Sequence, residues 1–357
     1  MSVAATPVEN ALTSGRLPKL APWGILVASW VAAAVVFGLL AAAGSTDFSL
    51  VAAIFWGTLL YVAAIFVVSL LIEGDRKARD RFVTALVVLA FVVALLPLIS
   101  LVSTVLANGL ARFDLQYFTY SMRNVVGAGG GASHAITGTL LMTIAATVIS
   151  VPIGLMTSIY LVEYGRGHLA RAITFLVDVM TGIPSIVAGL FAYAVFELVF
   201  GPGIRLGIGG AIALSVLMIP VVVRSSEELL RLVPNELREA SYALGVPKWA
   251  TIVKVVLPTS VAGLTTGVML AIARVIGETA PLLIIAGFTQ SLNTNLFDGR
   301  MQSLPVFVYQ SYANPGTDAQ AYIDRAWAGA LTLILIVMIL NLVARLVARF
   351  FAPKLGR

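Results

Sequence analysis

The residues best placed to do chemistry in this sequence are Arg274 and Glu278. They stand four positions apart in the otherwise apolar stretch Ala271-Ile-Ala-Arg274-Val-Ile-Gly277-Glu278-Thr279-Ala280-Pro281. On a continuous helix that spacing puts both charges on one face. A lone Arg in hydrocarbon costs at least about 2.5–3.5 kcal/mol on insertion scales, so such a residue faces a bundle interior or a wet path. Two readings are open. The pair is a neutralised tie between helices, or the guanidinium, a fork of N–H donors suited to an oxyanion, lines a path for an anion. Arg preceding Glu is the weaker order at i, i+4, which counts against the tie.

Few other residues compete. Asp178 lies four positions before Gly182-Ile-Pro184-Ser185, a sequence that reads as a helix break. Asp178 either caps backbone freed by that break or belongs to the pathway with Pro184 and Ser185. Glu197, near the end of an apolar run, reaches the headgroups and is assigned no role. The only histidines, His134 and His168, read as loop residues, and there is no cysteine. Thiolate chemistry, disulfides and a histidine metal site are therefore excluded. An intramembrane hydrolase would need a Ser/His pair, a His-Glu-x-x-His helix or paired aspartates, and the inventory is too poor for any of them. The Gly127–Gly131 run is not a nucleotide loop, because no Gly-Lys-Ser/Thr follows it. No catalytic residue, metal or cofactor is expected.

The elements that must position these residues follow from composition. Of 357 residues, 59% are hydrophobic and 11% charged, and the mean hydropathy is +0.98. A water-soluble domain carries about a quarter charged residues. The chain reads as an all-α polytopic membrane protein in a lipid bilayer. A net charge of +6 in so apolar a chain points to basic loops rather than nucleic acid. Runs of about 20 apolar residues, trimmed by turn chemistry, predict eight transmembrane helices: 23–43, 49–72, 82–106, 136–161, 172–199, 207–224, 260–288 and 326–348. With the N-terminus inside, the inner segments hold 17 Lys and Arg and the outer ones 5. That asymmetry predicts both termini on the cytoplasmic side.

The expected organisation is a cytoplasmic segment 1–22, then a two-helix hairpin with a charged linker over 23–81. A six-helix core follows over 82–350, with a short tail at 351–357. The inner loop 225–259 is the longest charged segment. Pro234 stops one helix and Asn235 is suited to cap the next. Glu236 and Glu239 sit where the helix dipole favours acids. Gly245 and Pro247 end the element, so a short helix is predicted over 236–244. Leu237, Ala240 and Leu244 share one face of it. A helix that short is not stable alone. It rests on the inner face of the membrane or of the protein, or it plugs a partner's groove.

Glu239-Ala240-Ser241, Gly245 and Val255-Val256-Leu257-Pro258 resemble the EAA loop of ABC-importer permeases. Ser241 replaces the second Ala of the pattern and Val255 replaces Ile. The resemblance implies a coupling helix that docks on separate ATP-hydrolysing subunits, with Leu237, Glu239, Ala240, Leu244, Gly245, Leu257 and Pro258 as its residues. The string Arg274-x-x-Gly277-Glu278-Thr279 is similar to one in both permeases of the phosphate-specific (Pst) branch, and Ala280-Pro281-Leu282-Leu283 resembles its A-type subunit. Supporting strings are Ser133-His134-Ala-Ile-Thr-Gly138-Thr139, Phe175-Leu-Val-Asp178 through Ser185, and Met301-Gln-Ser-Leu-Pro305.

The resemblance covers residues 130–310. It implies a six-helix ABC-importer permease core, to which the N-terminal hairpin is an addition. It further implies a permease subunit of an ATP-driven phosphate importer in the bacterial inner membrane, with Arg274, Glu278 and Thr279 in the pathway. The partners so implied are ABC ATPase subunits, a second, PstC-like permease and an extracytoplasmic phosphate-binding protein. An Arg in a pathway suits sulfate or molybdate as well, and a non-transporting membrane assembly subunit is the remaining alternative.

Overall fold

The computed structural model describes residues 17–18, 20–44 and 48–351, which are helical with connecting turns and contain no strand. Most of the segment 1–22 and nearly all of the tail 351–357 lie outside the described residues. The chain divides into two compact units, Met1–Val102 and Ser103–Arg357. Seven of the described helices are long and apolar enough to cross a membrane, and an eighth crossing results if one sharply bent pair counts as a single span.

In the first unit α1 (Ala21–Ala42) and α2 (Leu50–Glu73) form the expected hairpin. Trp30 of α1 donates its ring N–H to Thr58 of α2 at 3.0 Å. The charged segment after Glu73 is not a linker. Only Gly74, at φ +86°, interrupts the helix, and α3 runs from Asp75 to Gly109. The Arg81 guanidinium folds back on the buried Glu73 carboxylate, at 3.0 Å through one terminal nitrogen. Pairing these two charges makes a tight turn possible where a charged linker was expected.

The second unit is built on α5 (Ser133–Ile159, extended by a π-turn to Tyr164) and α8 (Gly207–Arg231). They pack along Met142, Ala146, Leu214, Met218 and Val222, and the Ser215 hydroxyl donates to the carbonyl of Ala211 at 2.8 Å. Among these larger side chains, Ala146, Ser150 and Gly154 of α5 lie against Ser215 and Val222 of α8, and such small residues let helices approach closely where lipid supplies no hydrophobic drive. α8 continues seven residues past the expected end of its span, to Arg231. The last long helix, α14, runs from Ala319 to Phe351. A short helix α4 (Leu115–Thr119) precedes the Gly127–Gly131 run.

Two predicted spans prove to be interrupted. The segment expected as one helix over 172–199 is α6 (His168–Thr181) and α7 (Ser185–Phe200), set at 108° to each other. Pro184 lacks an N–H and disfavours helical geometry at Ile183, so the chain turns there. The segment expected over 260–288 is α11 (Leu257–Val275) and α12 (Ala280–Ile285). Pro281, in the first turn of α12, is suited to starting a helix and not to continuing one.

Both histidine readings are corrected. His134 is 1% exposed in the first turn of α5, with Nε2 3.1 Å from Gln302 Oε1 and its ring edge-on to Phe307. His168 opens α6 rather than sitting in a loop, with Nδ1 3.0 Å from Arg171. Two supporting strings meet here: the backbone N–H of Leu304, which opens α13 (Leu304–Ala313), donates to Thr139 at 2.6 Å. On the same side of this unit Arg325 is fully buried and donates to the carbonyls of Gly127 and Gly129, at 2.8 and 2.9 Å. The glycine run is thus a cradle for a buried guanidinium.

Candidate functional site

The inner loop folds into α9 (Asn235–Ala243), a short α10 (Lys248–Thr251) and a π-turn leading into α11. Pro234, not Asn235, occupies the cap position, so Asn235 is the first helical residue. At the other end the Gly245 N–H donates to Tyr242 and the Val246 N–H to Ser241. That pair of bonds is a Schellman turn, which needs a left-handed residue after the cap. Gly245 supplies it at φ +75°.

Leu237, Ala240 and Leu244 are all exposed, Leu244 by 83%. Glu239 is exposed as well. The apolar face therefore covers nothing in this unit, and α9 rests on its own protein through other residues. What holds α9 is one flank of the helix, through Arg238 and Ser241. At about 100° per residue, Asn235, Arg238 and Tyr242 lie roughly across the helix from the leucines. Arg238 is the anchor. It donates to Glu163 Oε1 at 2.8 Å and to the carbonyls of Val233 and Leu230 at 2.6 and 3.0 Å. Ser241, which departs from the family's alanine, is buried and hydrogen-bonded to Thr251 at 2.8 Å. Leu257 packs against a cluster of Leu230, Val233 and Val256, and Pro258 lies in the first turn of α11.

The second group is divided by the break in the α11–α12 segment. Arg274 lies in the last turn of α11, while Glu278 and Thr279 lie in the turn after it. The i, i+4 relationship expected on one helix is lost, and no ion pair or hydrogen bond joins Arg274 to Glu278 among the described residues. Arg274 is exposed and Glu278 half-buried. Gly263 and Gly267 of α11 abut Leu229 and Ser225 of α8. Two turns further along, Arg274 is therefore level with the middle of α8.

The α6–α7 break sits beside this one. Ile183 and Ala188 share an apolar cluster with Ala271, Val275 and Leu282. Pro281 approaches Gly189 so closely that a Cβ there would lie 2.5 Å from the proline Cα. Ser185, one turn before Gly189, opens α7 with its helix N-terminus, a partial positive charge. Pro184 and Ser185 are thus brought near α12. Asp178 is not: it lies on the other side of the bend and pairs with Arg224, which also donates to Glu227 at 2.8 Å. Asp178 ties α6 to α8.

Sequence reasoning missed Glu163, Arg238 and Thr251. Their partners lie 75 residues away for the first two and 10 for the third, beyond any local periodicity. A charge such as Arg238 on a short helix otherwise needing support is the one signal that pointed to an anchor.

An all-helical membrane unit with a projecting, anchored helix between two spans is the architecture of a transport permease. Residues 150–357 match the family described as binding-protein-dependent transport system inner membrane component. The chain is 46% identical over 285 residues to the phosphate transport system permease protein PstA 1 of Mycobacterium tuberculosis, covering 79% of this chain and 91% of that protein. It is 46% identical over 276 residues to PstA of Mycobacterium leprae, covering 76% and 89%. PstA of Yersinia pestis is 40% identical over 283 residues, covering 79% and 93%. Among solved structures, a chain of a bacterial alginate ABC transporter matches with TM-score 0.56 at 13% identity, covering 78% of this chain and 97% of that one; this likeness concerns the fold. The chain belongs to the binding-protein-dependent transport inner membrane components and, within them, to the PstA permeases.

Proposed function

We propose that the chain is the permease subunit of an ATP-driven importer of inorganic phosphate, supplying part of the translocation pathway and no catalytic chemistry of its own. One observation carries the substrate: relatives 46% identical over about nine-tenths of their length are phosphate transport permeases. The geometry supports the mechanism. The apolar face of α9 is exposed while its polar face is anchored, so a groove on a separate ATPase can take Leu237, Ala240 and Leu244. Force applied there reaches the 160–164 segment through Arg238 and Glu163, and α11 through Leu257 and Pro258. The basic asymmetry of the loops supports α9, and both termini, on the cytoplasmic side.

Arg274 supports a second, PstC-like permease. An exposed guanidinium level with the middle of α8 cannot face hydrocarbon. A facing subunit and a shared wet path give it a place, with Glu278, Thr279 and the N-terminus of α7 beside it. Arg274 offers paired charge-assisted donors to phosphate oxygens. Glu278 can accept the residual phosphate O–H, which fully ionised sulfate lacks. An extracytoplasmic phosphate-binding protein delivers the ion.

The test is reconstitution in liposomes with the ATPase, the second permease and the binding protein. Phosphate-stimulated ATP hydrolysis and phosphate uptake are expected. Uptake of sulfate or molybdate in place of phosphate would transfer the reading to another oxyanion. Intact assembly without any transport would favour an assembly subunit.

A further inference from the structure

Beside the anchored face of α9 lies a cavity of about 420 Å³, bordered by α9, the end of α8 and the turn after α5. Its wall carries four cations, Arg166, Arg231, Arg238 and Lys248, against one carboxylate, Glu163. Glu163 is committed to Arg238. Arg231 shares one nitrogen with Glu227 at 2.6 Å and remains 66% exposed. Arg166 is exposed and has no hydrogen bond or ion pair among the described residues. Even with Glu227 set wholly against Arg231, the cavity keeps uncompensated positive charge. Tyr242 adds a hydroxyl donor on the α9 wall. Tyr164 and Trp249, 45% and 62% exposed, stand nearby in sequence, and such rings favour the headgroup level of a bilayer.

We propose that this cavity binds a phosphate-bearing anion that bridges Arg166, on the turn after α5, to Arg231 and Tyr242, and thereby stiffens α9. Guanidinium forks and phosphoryl oxygens make short, strong, paired bonds. The occupant leaves the apolar face free, because the cavity lies across the helix from Leu237, Ala240 and Leu244. The anion therefore acts on the stiffness of the coupling element rather than on its docking surface. Two sources share this chemistry: inorganic phosphate on the side to which the importer delivers it, and the headgroup of an anionic phospholipid. The inference rests on the reading above for the side of the membrane that α9 occupies.

The test uses the assembled importer in nanodiscs. Hydrogen exchange of the 235–246 amides is followed in phosphatidylcholine with and without inorganic phosphate, and in phosphatidylcholine with and without phosphatidylglycerol but no phosphate. Slower exchange in the first comparison assigns the free ion, and in the second the headgroup; either supports the site. Arg166→Gln and Arg231→Gln should each weaken the dependence on the anion by roughly tenfold or more. Arg166 has no internal partner, so its replacement leaves the fold intact. The proposal is overturned if neither anion slows exchange, or if the slowing survives both substitutions. Phosphate uptake is measured with the same preparation in liposomes. Normal uptake with no anion effect removes only the cavity; an anion effect without uptake removes only the transport reading.

Discussion

Arg238 and Glu163 meet at 2.8 Å across 75 residues of chain, with side chains 13% and 5% exposed. The contact fastens a short helix, which could not stand alone, to the end of a membrane span. Removing one partner of a buried pair leaves the other charge uncompensated, at a cost on the order of 3 kcal/mol.

We expect Glu163→Gln to loosen α9, seen as faster hydrogen exchange over residues 235–246 and at least a tenfold loss of phosphate uptake. The charge-reversed double variant Glu163→Arg/Arg238→Glu should not recover it. Arg238 also donates to the carbonyls of Leu230 and Val233, and a carboxylate there would repel both. Recovery of uptake by that double variant would show that the ion pair alone matters.

Gly245 tests the turn. The space where its Cβ would lie is empty to 4 Å, so any effect of a side chain there is purely conformational. At φ +75° a Val costs on the order of 1–2 kcal/mol, an Asn less. Gly245→Val should insert normally yet bind the ATPase weakly and lose transport, with Gly245→Asn intermediate. Uptake by the Val variant at the original rate would show that the turn is not required.

Arg274 and Glu278 have separate surroundings, so their roles should separate under mutation. Arg274→Gln should abolish phosphate uptake while the complex still assembles. Glu278→Gln should impair release or the choice between phosphate and sulfate more than insertion. Exchanging the two charges should not restore transport, since no ion pair exists to be rebuilt. Near-normal uptake by the exchanged protein would remove both residues from the pathway.

The orientation is checked by cysteines in a chain that has none of its own. Asn108 and Thr294 are exposed and should label from outside in sealed cells, and Glu236 should not. Thr294 is preferred to Asn293, whose side chain holds the carbonyls of Asp298 and Arg300. Labelling at position 236 from outside would reject the topology.

Most spans and, to within one residue, the ends of α9 were legible because each has a local cause: apolar run length, a proline before the helix, a glycine after it. The bend at Pro184 was legible as a break, but its 108° angle depends on packing against α8 and α12. The break after Val275 was hidden because Ala271 to Leu283 contains only one glycine and the proline that starts the next helix. His134 was misread for the opposite reason. It follows a glycine run, and nothing near it in sequence shows that Gln302 lies 3.1 Å away.

The glycine cradle has a consequence for the order of assembly. Gly127 and Gly129 leave the ribosome almost 200 residues before Arg325, whose guanidinium their carbonyls accept. His134 and Thr139 likewise wait more than 160 residues for Gln302 and Leu304. The face of the second unit remote from α9 is therefore closed only when the start of α14 arrives, and a chain halted before that point presents its first core helices with an unfastened rim.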